Sequence, residues 1–282
     1  MKKYINIKGS LVDFDTPIVM GIVNVTPDSF YAASRKQTED SLIARCRQIM
    51  EEGGAIIDIG AQSSSPESKF LSAEEEAARL MPALAAIRKE FPSAVLSVDT
   101  FYAEVAKRAV LDFGADIIND VSGGQIDENM FSTAAELNVP YILMQMRGTP
   151  QTMQQHTQYD NFIQDFLYYF SEKINRLNQL GVNDIIIDPG FGFSKTIEQN
   201  YELMACLKYL DVFEAPLLVG ISRKSMIYKL LKTRPEESLN GTTALNTAAL
   251  LSGADILRVH DVKEAVECVK IVTEIKKFDK PV

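Results

Sequence analysis

The sequence predicts an α/β fold, a single-domain (β/α)8 barrel of the TIM type with an N-terminal β-hairpin that closes its bottom. Eight short apolar runs, rich in branched aliphatic residues, are typical of buried parallel strands. Each run is followed by a stretch with helical periodicity, and this alternation predicts a parallel sheet. The 282 residues are close to the roughly 250 that one such barrel takes, and no linker or low-complexity run divides them.

The candidate strands each end at or beside a polar residue. They lie at residues 19–25, 55–59, 94–98, 116–118, 140–144, 185–187, 217–221 and 256–259. In such a barrel the carboxyl ends of the strands form the face that carries the active site. The polar residues at these ends are therefore expected to converge on one mouth.

Ahead of the first strand, residues 4–14 alternate between apolar and polar side chains around Gly9 and Ser10. This alternation predicts a β-hairpin. Within one domain spanning residues 1–282, we expect residues 1–17 to plug the N-terminal end of the barrel.

The helices are predicted from apolar periodicity and from end signals. Ser72 and the Glu three residues later form a capping-box pattern, and glycines at 53, 114 and 181 mark helix ends. The SRKS segment at 222–225 is predicted to be a loop. The predicted helices span residues 39–52, 72–90, 102–112, 161–180, 196–207, 241–252 and 262–278.

The bulk composition restricts the class of partner. A formal net charge of −9 argues against binding to nucleic acid or to an anionic membrane surface, although a local cationic cluster can still bind an anionic small molecule. Three widely spaced cysteines indicate reduced thiols, and no secretory signal or apolar run of about 18 residues is found. We therefore expect a cytoplasmic protein that binds small-molecule substrates.

Four hydrogen-bond acceptors stand at strand ends: Asp58, Asp99, Asn119 and Asp188. Rigid acceptors suit a flat heterocycle with amino and ring N–H donors, because one carboxylate can accept from two adjacent donors. A structural alternative stays open, since Asp99 and Asp120 also fit the role of helix caps.

A cationic set, Lys224, Arg258 and His260, belongs to the last two strands, where barrels often bind phosphate. The alternative for Arg258 and His260 is pairing with Asp255 or Asp261 on the rim. Nearer the N-terminus, Asn24 and Asp28 offer oxygen ligands for Mg²⁺, and three serines at 63–65 add hydroxyls. Together these groups indicate a polar aromatic ring attached to a phosphate or diphosphate.

Seven blocks of sequence carry a family resemblance: MGIVNVTPDSF, IDIG, SVDT, INDVSGG, DPGFGFSK, LVGISRKSM and RVHDV. In this order they resemble the signature blocks of the dihydropteroate synthases, the folate-pathway enzymes targeted by sulfonamides. The resemblance implies a homodimeric transferase that uses Mg²⁺. Its reaction would condense 6-hydroxymethyl-7,8-dihydropterin diphosphate with 4-aminobenzoate to give 7,8-dihydropteroate and diphosphate.

The resemblance also implies roles for individual residues. The pterin-binding positions are Asp99, Asn119, Met144, Asp188 and Lys224. The positions expected to carry catalysis are Asp99, Asp188, Lys224 and Arg258. The diphosphate-binding positions are Asn24, Ser64, Arg258 and His260, with Asn24 also at the metal. The 4-aminobenzoate positions are Ser64, Pro66, Phe193 and Ser225.

One block departs from the family pattern. Where the family usually has Ser-Thr-Arg-Pro-Gly, residues 63–67 read SSSPE, so Ser65 replaces the arginine. We expect Lys69 to supply the missing cation. Two other functions stay open: a non-catalytic pterin-binding paralogue, and a methyltetrahydrofolate–corrinoid methyltransferase, which has no need of the cationic set.

Overall fold

The computed structural model describes residues 3–25, 35–62 and 70–278. Its strands are β1 (Tyr4–Ile7), β2 (Ser10–Asp13), β3 (Ile18–Asn24), β4 (Ile56–Gly60), β5 (Val95–Asp99), β6 (Ile117–Asp120), β7 (Tyr141–Met144), β8 (Ile185–Asp188), β9 (Leu218–Val219) and β10 (Ile256–Val259). The last eight are the eight predicted strands.

These eight strands form one parallel sheet in the order β8-β7-β6-β5-β4-β3-β10-β9. A parallel bridge between Ile187 and Leu217 joins the two outer strands and closes the sheet into a barrel. The predicted (β/α)8 architecture is therefore confirmed. Among the described residues, no helix combines the length and the apolar character that crossing a membrane needs.

The helices cover the outside of the barrel. They are α1 (Arg35–Glu51), α2 (Ala73–Glu90), α3 (Ala103–Phe113), α4 (Met130–Leu137), α5 (Phe162–Gln179), α6 (Ile197–Ala205), α7 (Ser225–Leu231), α8 (Leu239–Leu251) and α9 (Val262–Lys276). The predicted capping box is present, because Glu75 N donates to Ser72 Oγ and Ser72 N donates to a Glu75 carboxylate oxygen.

Two helices had no predicted counterpart. The first, α4, has 8 residues, and the second, α7, has 7 and begins inside the segment that was predicted to be a loop. Helices of about two turns contain too few apolar repeats for periodicity to reveal them. The polar connection after β7 also contains a 3₁₀ turn at Met153–Gln155 that buries Met153.

The hairpin of β1 and β2 closes the N-terminal end of the barrel, as predicted. Its turn is at Lys8 and Gly9, whose φ angles are 52° and 80°, one residue earlier than expected. Ile5, Ile7 and Phe14 are buried against the barrel's lowest layer of side chains. We call this apolar layer the floor: Met20, Ile56, Ile117, Ile142, Ile186, Leu218 and Ile256.

The strand register sets the height of the polar residues at the other end. Asp99 pairs with Asn119 across β5 and β6, and with Gly60 on β4. Met144 pairs with Asp188 across β7 and β8. Parallel strands with these registers bring their carboxyl-terminal side chains to one level, which is the mouth of the barrel.

Candidate functional site

A cavity of about 600 Å³ opens at the mouth, and its volume is ordinary for a small-molecule site. Six of the predicted site residues line it: Asn24, Asp99, Phe193, Lys224, Arg258 and His260. Residues that were not predicted also line it, including Gln62, Leu71, Arg79, Phe101 and Val121.

The remaining predicted positions lie elsewhere. Asn119, Met144 and Asp188 are buried next to the lining residues and are not part of the cavity wall. Ser225 is half-buried at the start of α7, directly after Lys224. Ser64 and Pro66 fall outside the described residues, as do Asp28, Ser65 and Lys69.

Arg258 is the centre of an ion-pair network across the mouth. Its Nε donates to Asp58 and its Nη2 donates to Asp99, each over 2.6 Å. Asn119 Nδ2 donates to the Asp58 oxygens at 3.3 and 3.2 Å. Burial opposes the charge of Arg258, but Asp58 and Asp99 raise its pKa, so the guanidinium stays charged.

Asp58 is fully buried within this network. It holds Arg258 and Asn119 in place and, like Asn119, is not part of the cavity wall.

Asp188 and Lys224 form the second charged part of the mouth. Asp188 accepts a hydrogen bond of 2.7 Å from Gly190 N, while Lys224 Nζ donates to Phe191 O over 2.5 Å and lies 4.6 Å from the Phe193 ring centroid. Burial raises the pKa of Asp188, although Lys224 opposes the shift. Burial lowers the pKa of Lys224 to about 8, although Asp188 opposes that shift.

Several acceptors at the mouth are buried. Burial raises the pKa of Asp99 to about 7; the charge of Arg258 opposes the shift, and the charges of Asp58, Asp120 and Asp188 add to it. Asn119 Oδ1 is buried and accepts no hydrogen bond from any described residue. Buried acceptors of this kind cost free energy, so a ligand that supplies N–H donors here is stabilised.

His260 is not a cation at neutral pH. Burial, together with the nearby charge of Arg258, lowers the pKa of His260 to about 4. Its Nδ1 lies 3.0 Å from Ser222 Oγ. The expected cationic set of three is thus reduced to Lys224 and Arg258, and the neutral imidazole can offer only hydrogen bonding to an anion.

The rim carboxylates have other partners. Asp255 pairs with Lys3 at 3.2 Å, and Asp261 pairs bidentately with Arg223 at 2.9 and 2.8 Å. The structural alternative for Arg258 and His260 is therefore wrong. Asp120 has a structural role, although it does not cap a described helix. This carboxylate accepts from Ser122, Gly124 and Tyr141, and so it orders the loop after β6.

The loop after β8 is fixed by a lysine that sequence reasoning missed. Buried Lys195 donates to Gln145 Oε1 over 2.5 Å and to the carbonyls of Gly190 and Phe193 over 3.0 and 2.9 Å. Gly190 has φ 64°, and a Cβ there would lie 2.2 Å from the Gln145 carbonyl oxygen. Only glycine allows the backbone at residue 190 to lie this close to the Gln145 carbonyl, and this contact holds Asp188 and Phe193 at the mouth.

Glu76, on the first turn of α2, was also missed. It is fully buried, and neither carboxylate oxygen has a hydrogen-bond partner among the described residues. Burial raises its pKa to about 8, and the charge of nearby Asp99 adds to the shift. An acidic residue in a first helical turn normally indicates an exposed helix start, so the sequence held no signal for this burial.

An apolar cluster borders the polar groups. Met144 and Phe193 pack with Phe101, Val121 and Met153, and all five are buried. Apolar side chains beside rigid acceptors suit a flat ring that bears polar groups on its edge, while Lys224 adds a positive charge at the same place.

Comparison with known proteins agrees with this geometry. The model of a family described as pterin binding enzyme matches residues 20–260. A dihydropteroate synthase of Escherichia coli is 40% identical over 267 residues, which are 94% of this chain and 94% of that protein. The chain belongs to the dihydropteroate synthase family. Its predicted class, a transferase of folate biosynthesis, is thereby confirmed.

Other members of the dihydropteroate synthase family are similar to this chain over most of their length. The Synechocystis enzyme is 42% identical over 90% of this chain and 88% of its own. The Yersinia pestis enzyme, solved as a sulfonamide drug complex, superposes with a TM-score of 0.89 at 38% identity and covers 97% of this chain and 99% of that one. The Xanthomonas albilineans enzyme, solved with 4-aminobenzoic acid, has a TM-score of 0.88 at 33% identity, with all of both chains covered.

Proposed function

We propose that this chain condenses 6-hydroxymethyl-7,8-dihydropterin diphosphate with 4-aminobenzoate and releases diphosphate and 7,8-dihydropteroate. The observation that carries the proposal is a group of acceptors beside the cavity. Asn119 Oδ1 is buried without a hydrogen-bond partner among the described residues, and the carboxylates of Asp99 and Asp188 accept from Arg258 and Gly190 through one oxygen each. A pterin has amino and ring N–H donors along one edge, and these donors match such acceptors. Family membership supports the same substrate.

Different residues bind different parts of the pterin substrate. The carboxylate of Asp188 accepts from the pterin edge, and Lys224 donates to an acceptor of the same ring. Met144 provides apolar surface for the ring. Arg258, held by two carboxylates, sits between this ring and the anionic end of the substrate.

The reaction breaks the bond between the exocyclic carbon and the diphosphate oxygen, and the electron pair leaves with diphosphate. The dihydropterin ring delocalises the resulting positive charge, so this bond breaks before the amine attacks. The carboxylates of Asp99 and Asp188 stabilise that charge by preorganised electrostatics. The amine nitrogen of 4-aminobenzoate then forms the new bond and releases a proton to water.

The 4-aminobenzoate is placed beside Phe193 and Ser225. Phe193 is buried at the cavity wall, and Ser225 follows Lys224 in the chain with its side chain half-buried. The further positions proposed for this substrate, Ser64 and Pro66, carry over from the family resemblance alone.

The described donor set fits a magnesium ion that takes most of its ligands from phosphate oxygens and water, and few from the protein. Within the described part of the chain, no group of three or more His, Cys, Asp or Glu side chains can hold a metal. Asn24 is exposed at the cavity and offers one amide oxygen. Mg²⁺ commonly keeps its waters and takes one or two protein ligands plus phosphate oxygens, so Asn24 would hold it. When bound, the ion would neutralise charge on the leaving diphosphate.

We also propose a cytoplasmic homodimer. The three cysteines are unpaired, as expected in a reducing compartment. Leu230 and Leu231 of α7 and Leu251 of α8 expose more than half of their surface, and apolar side chains on neighbouring helices favour a subunit contact.

A turnover assay tests the function directly. The purified protein is given the dihydropterin diphosphate and 4-aminobenzoate, and both dihydropteroate and diphosphate are measured. Formation of the two products in equal amounts is expected. A protein that binds the pterin and forms neither product would instead be the non-catalytic paralogue. Methyl transfer from methyltetrahydrofolate to a corrinoid would identify the methyltransferase.

The order of bond breaking has its own test. Substrate incubated without 4-aminobenzoate should still release diphosphate slowly, because the ring stabilises the charge without the amine. An absolute requirement for the amine before any release would show that attack and departure are simultaneous.

A further inference from the structure

The arginines of the cavity differ in whether a carboxylate compensates their charge. Arg258 is paired with Asp58 and Asp99. Arg223 is paired with Asp261 through two hydrogen bonds. Carboxylates therefore neutralise much of the charge of both guanidinium groups before a ligand binds.

Arg79 is different. It lies on the second turn of α2, its side chain lines the cavity, and it is only partly buried. Among residues 3–25, 35–62 and 70–278 it has no ion pair and no hydrogen bond. An uncompensated guanidinium facing a cavity is a binding group for an anion, because its planar fork matches two oxygens of a phosphate or carboxylate.

Gln62 adds a second free donor to the same wall. Its Oε1 accepts from Leu71 N over 3.1 Å, which fixes the orientation of the amide. Its Nε2 is buried and donates to no described residue. A buried amide N–H₂ group without an acceptor costs free energy, and an anionic ligand would remove that cost.

The position of this wall selects between the two anionic groups of the substrates. Asn24 pairs in register with Gly60, two residues before Gln62, so the wall adjoins the strand of Asn24. Phe193, proposed to lie beside 4-aminobenzoate, follows β8, which is four strands from β4 and thus across the barrel. Because the wall adjoins the strand of Asn24, a proposed diphosphate position, we assign the diphosphate to it.

We propose that Arg79, assisted by Gln62, binds the diphosphate group of the pterin substrate from the α2 side of the cavity. The assignment rests on the proposed function, since it takes its ligand from that reaction. Arg79, a helix residue, would then supply the cation that was expected from Lys69, which lies outside the described residues. Arg79 and Gln62 are binding residues for the leaving group, and neither contacts the ring.

The test compares Arg79→Met with Arg79→Lys and with a matched control, Arg108→Met. Arg108 is exposed on α3, so its replacement removes the same charge away from the cavity. Calorimetry measures the affinity of each variant for inorganic diphosphate and for unphosphorylated 6-hydroxymethylpterin. Steady-state kinetics measure KM and kcat for the diphosphate ester.

We expect Arg79→Met to weaken diphosphate binding and to raise KM for the ester by at least tenfold, while pterin affinity stays within about twofold of wild type. Arg79→Lys should recover part of the loss, because it restores charge without the fork. The salt dependence of diphosphate affinity should be shallower in Arg79→Met than in Arg108→Met. Gln62→Leu should show a smaller loss of the same kind.

Two results would overturn the assignment. One is unchanged diphosphate affinity in Arg79→Met, and the other is an equal loss of diphosphate and pterin affinity, which would indicate a general structural effect. Failure of the proposed function is separable, because it would appear as absent turnover in the wild-type protein. The binding measurements need no turnover and so still decide the role of Arg79.

Discussion

The two ends of this barrel are built on the same strands and differ completely in chemistry. At the floor, Ile56, Ile117 and Ile186 face one another and the hairpin seals them from water. Two residues further along the same strands stand Asp58, Asn119 and Asp188. In a strand, residues two apart point to the same side and lie about 6.6 Å apart. The barrel interior thus contains an apolar layer and, directly above it, a layer of polar side chains.

Burial alone does not separate structural from functional positions in this barrel. Side chains of both layers are almost fully buried. The floor residues are stabilised by contact with one another, whereas the mouth residues depend on ion pairs and leave some acceptors free. Mutations in the floor should therefore change stability, and mutations in the mouth should change binding, unless they break an ion pair.

The largest effect is expected for Arg258→Ala. Removing the guanidinium leaves the buried Asp58 without its partner, and breaking a buried ion pair costs about 3–5 kcal/mol. Chemical denaturation should show this loss of unfolding free energy, together with loss of turnover. In the double variant Asp58→Asn and Arg258→Ala, stability should largely return while activity stays low. A double variant as unstable as the single one would contradict the ion-pair explanation.

Asp188→Asn is expected to weaken pterin binding by about 2–5 kcal/mol, because the neutral amide loses a charge-assisted pair. Titration with a pterin analogue measures the effect. The Asn side-chain oxygen can still accept from Gly190 N, so the fold should be retained. Unchanged affinity would remove Asp188 from the binding site.

Ile186→Ala makes the matched change in the floor, two residues earlier on β8. Truncating a fully buried isoleucine costs about 2–5 kcal/mol of stability. Thermal unfolding should show this loss, and KM for both substrates should stay within about twofold. A large rise in KM with unchanged stability would show that the two layers are not functionally separate.

Glu76→Gln tests the charge state of a buried carboxyl group beside the mouth, through the pH dependence of stability. The folded-state pKa is raised to about 8 from 4.5, so the folded protein holds a proton that the unfolded chain releases. This group therefore destabilises the fold increasingly as pH rises from about 4.5 to 8, by up to about 3 kcal/mol at pH 7. The variant should be more stable than wild type at pH 7–8 and should vary less with pH. Parallel stability–pH curves for the two proteins would contradict this charge state.

The smallest effect concerns Lys224. Because burial lowers its pKa to about 8, the ammonium is present below that pH and is lost above it. Pterin affinity should be level near pH 6–7 and should fall above pH 8 by at most about tenfold per unit, or 1.4 kcal/mol. The Lys224→Gln variant should bind weakly at every pH, without this dependence. A dependence that survives in the variant would assign the titration to another group.

Much of this architecture could be predicted because the strands are apolar and are bounded by polar residues and glycine. The eight strands, the hairpin and the capping box at Ser72 were found from local pattern alone. The polar strand ends also placed Asp99 and Arg258 at one mouth. These features depend on residues within a few positions of one another in the sequence.

The rest depends on contacts between distant segments. The pairing of Arg258 with Asp58 joins residues 200 positions apart, and Lys195 bonds to Gln145 across 50 positions. The neutral state of His260 and the burial of Glu76 depend on which surfaces pack against them. Local pattern could identify these residues as ionisable, but it could not assign their charge.

The place of β10 has a consequence for how the protein is made. This strand inserts between β3 and β9, and it carries the guanidinium that joins Asp58 and Asp99 over separations of 200 and 159 residues. During synthesis the earlier strands emerge before β10, so until then the sheet has an open edge and Asp58 and Asp99 lack their counter-ion. Contacts of such high sequence separation form late and slow folding. The nascent chain acquires its barrel and its binding site in the same closing step.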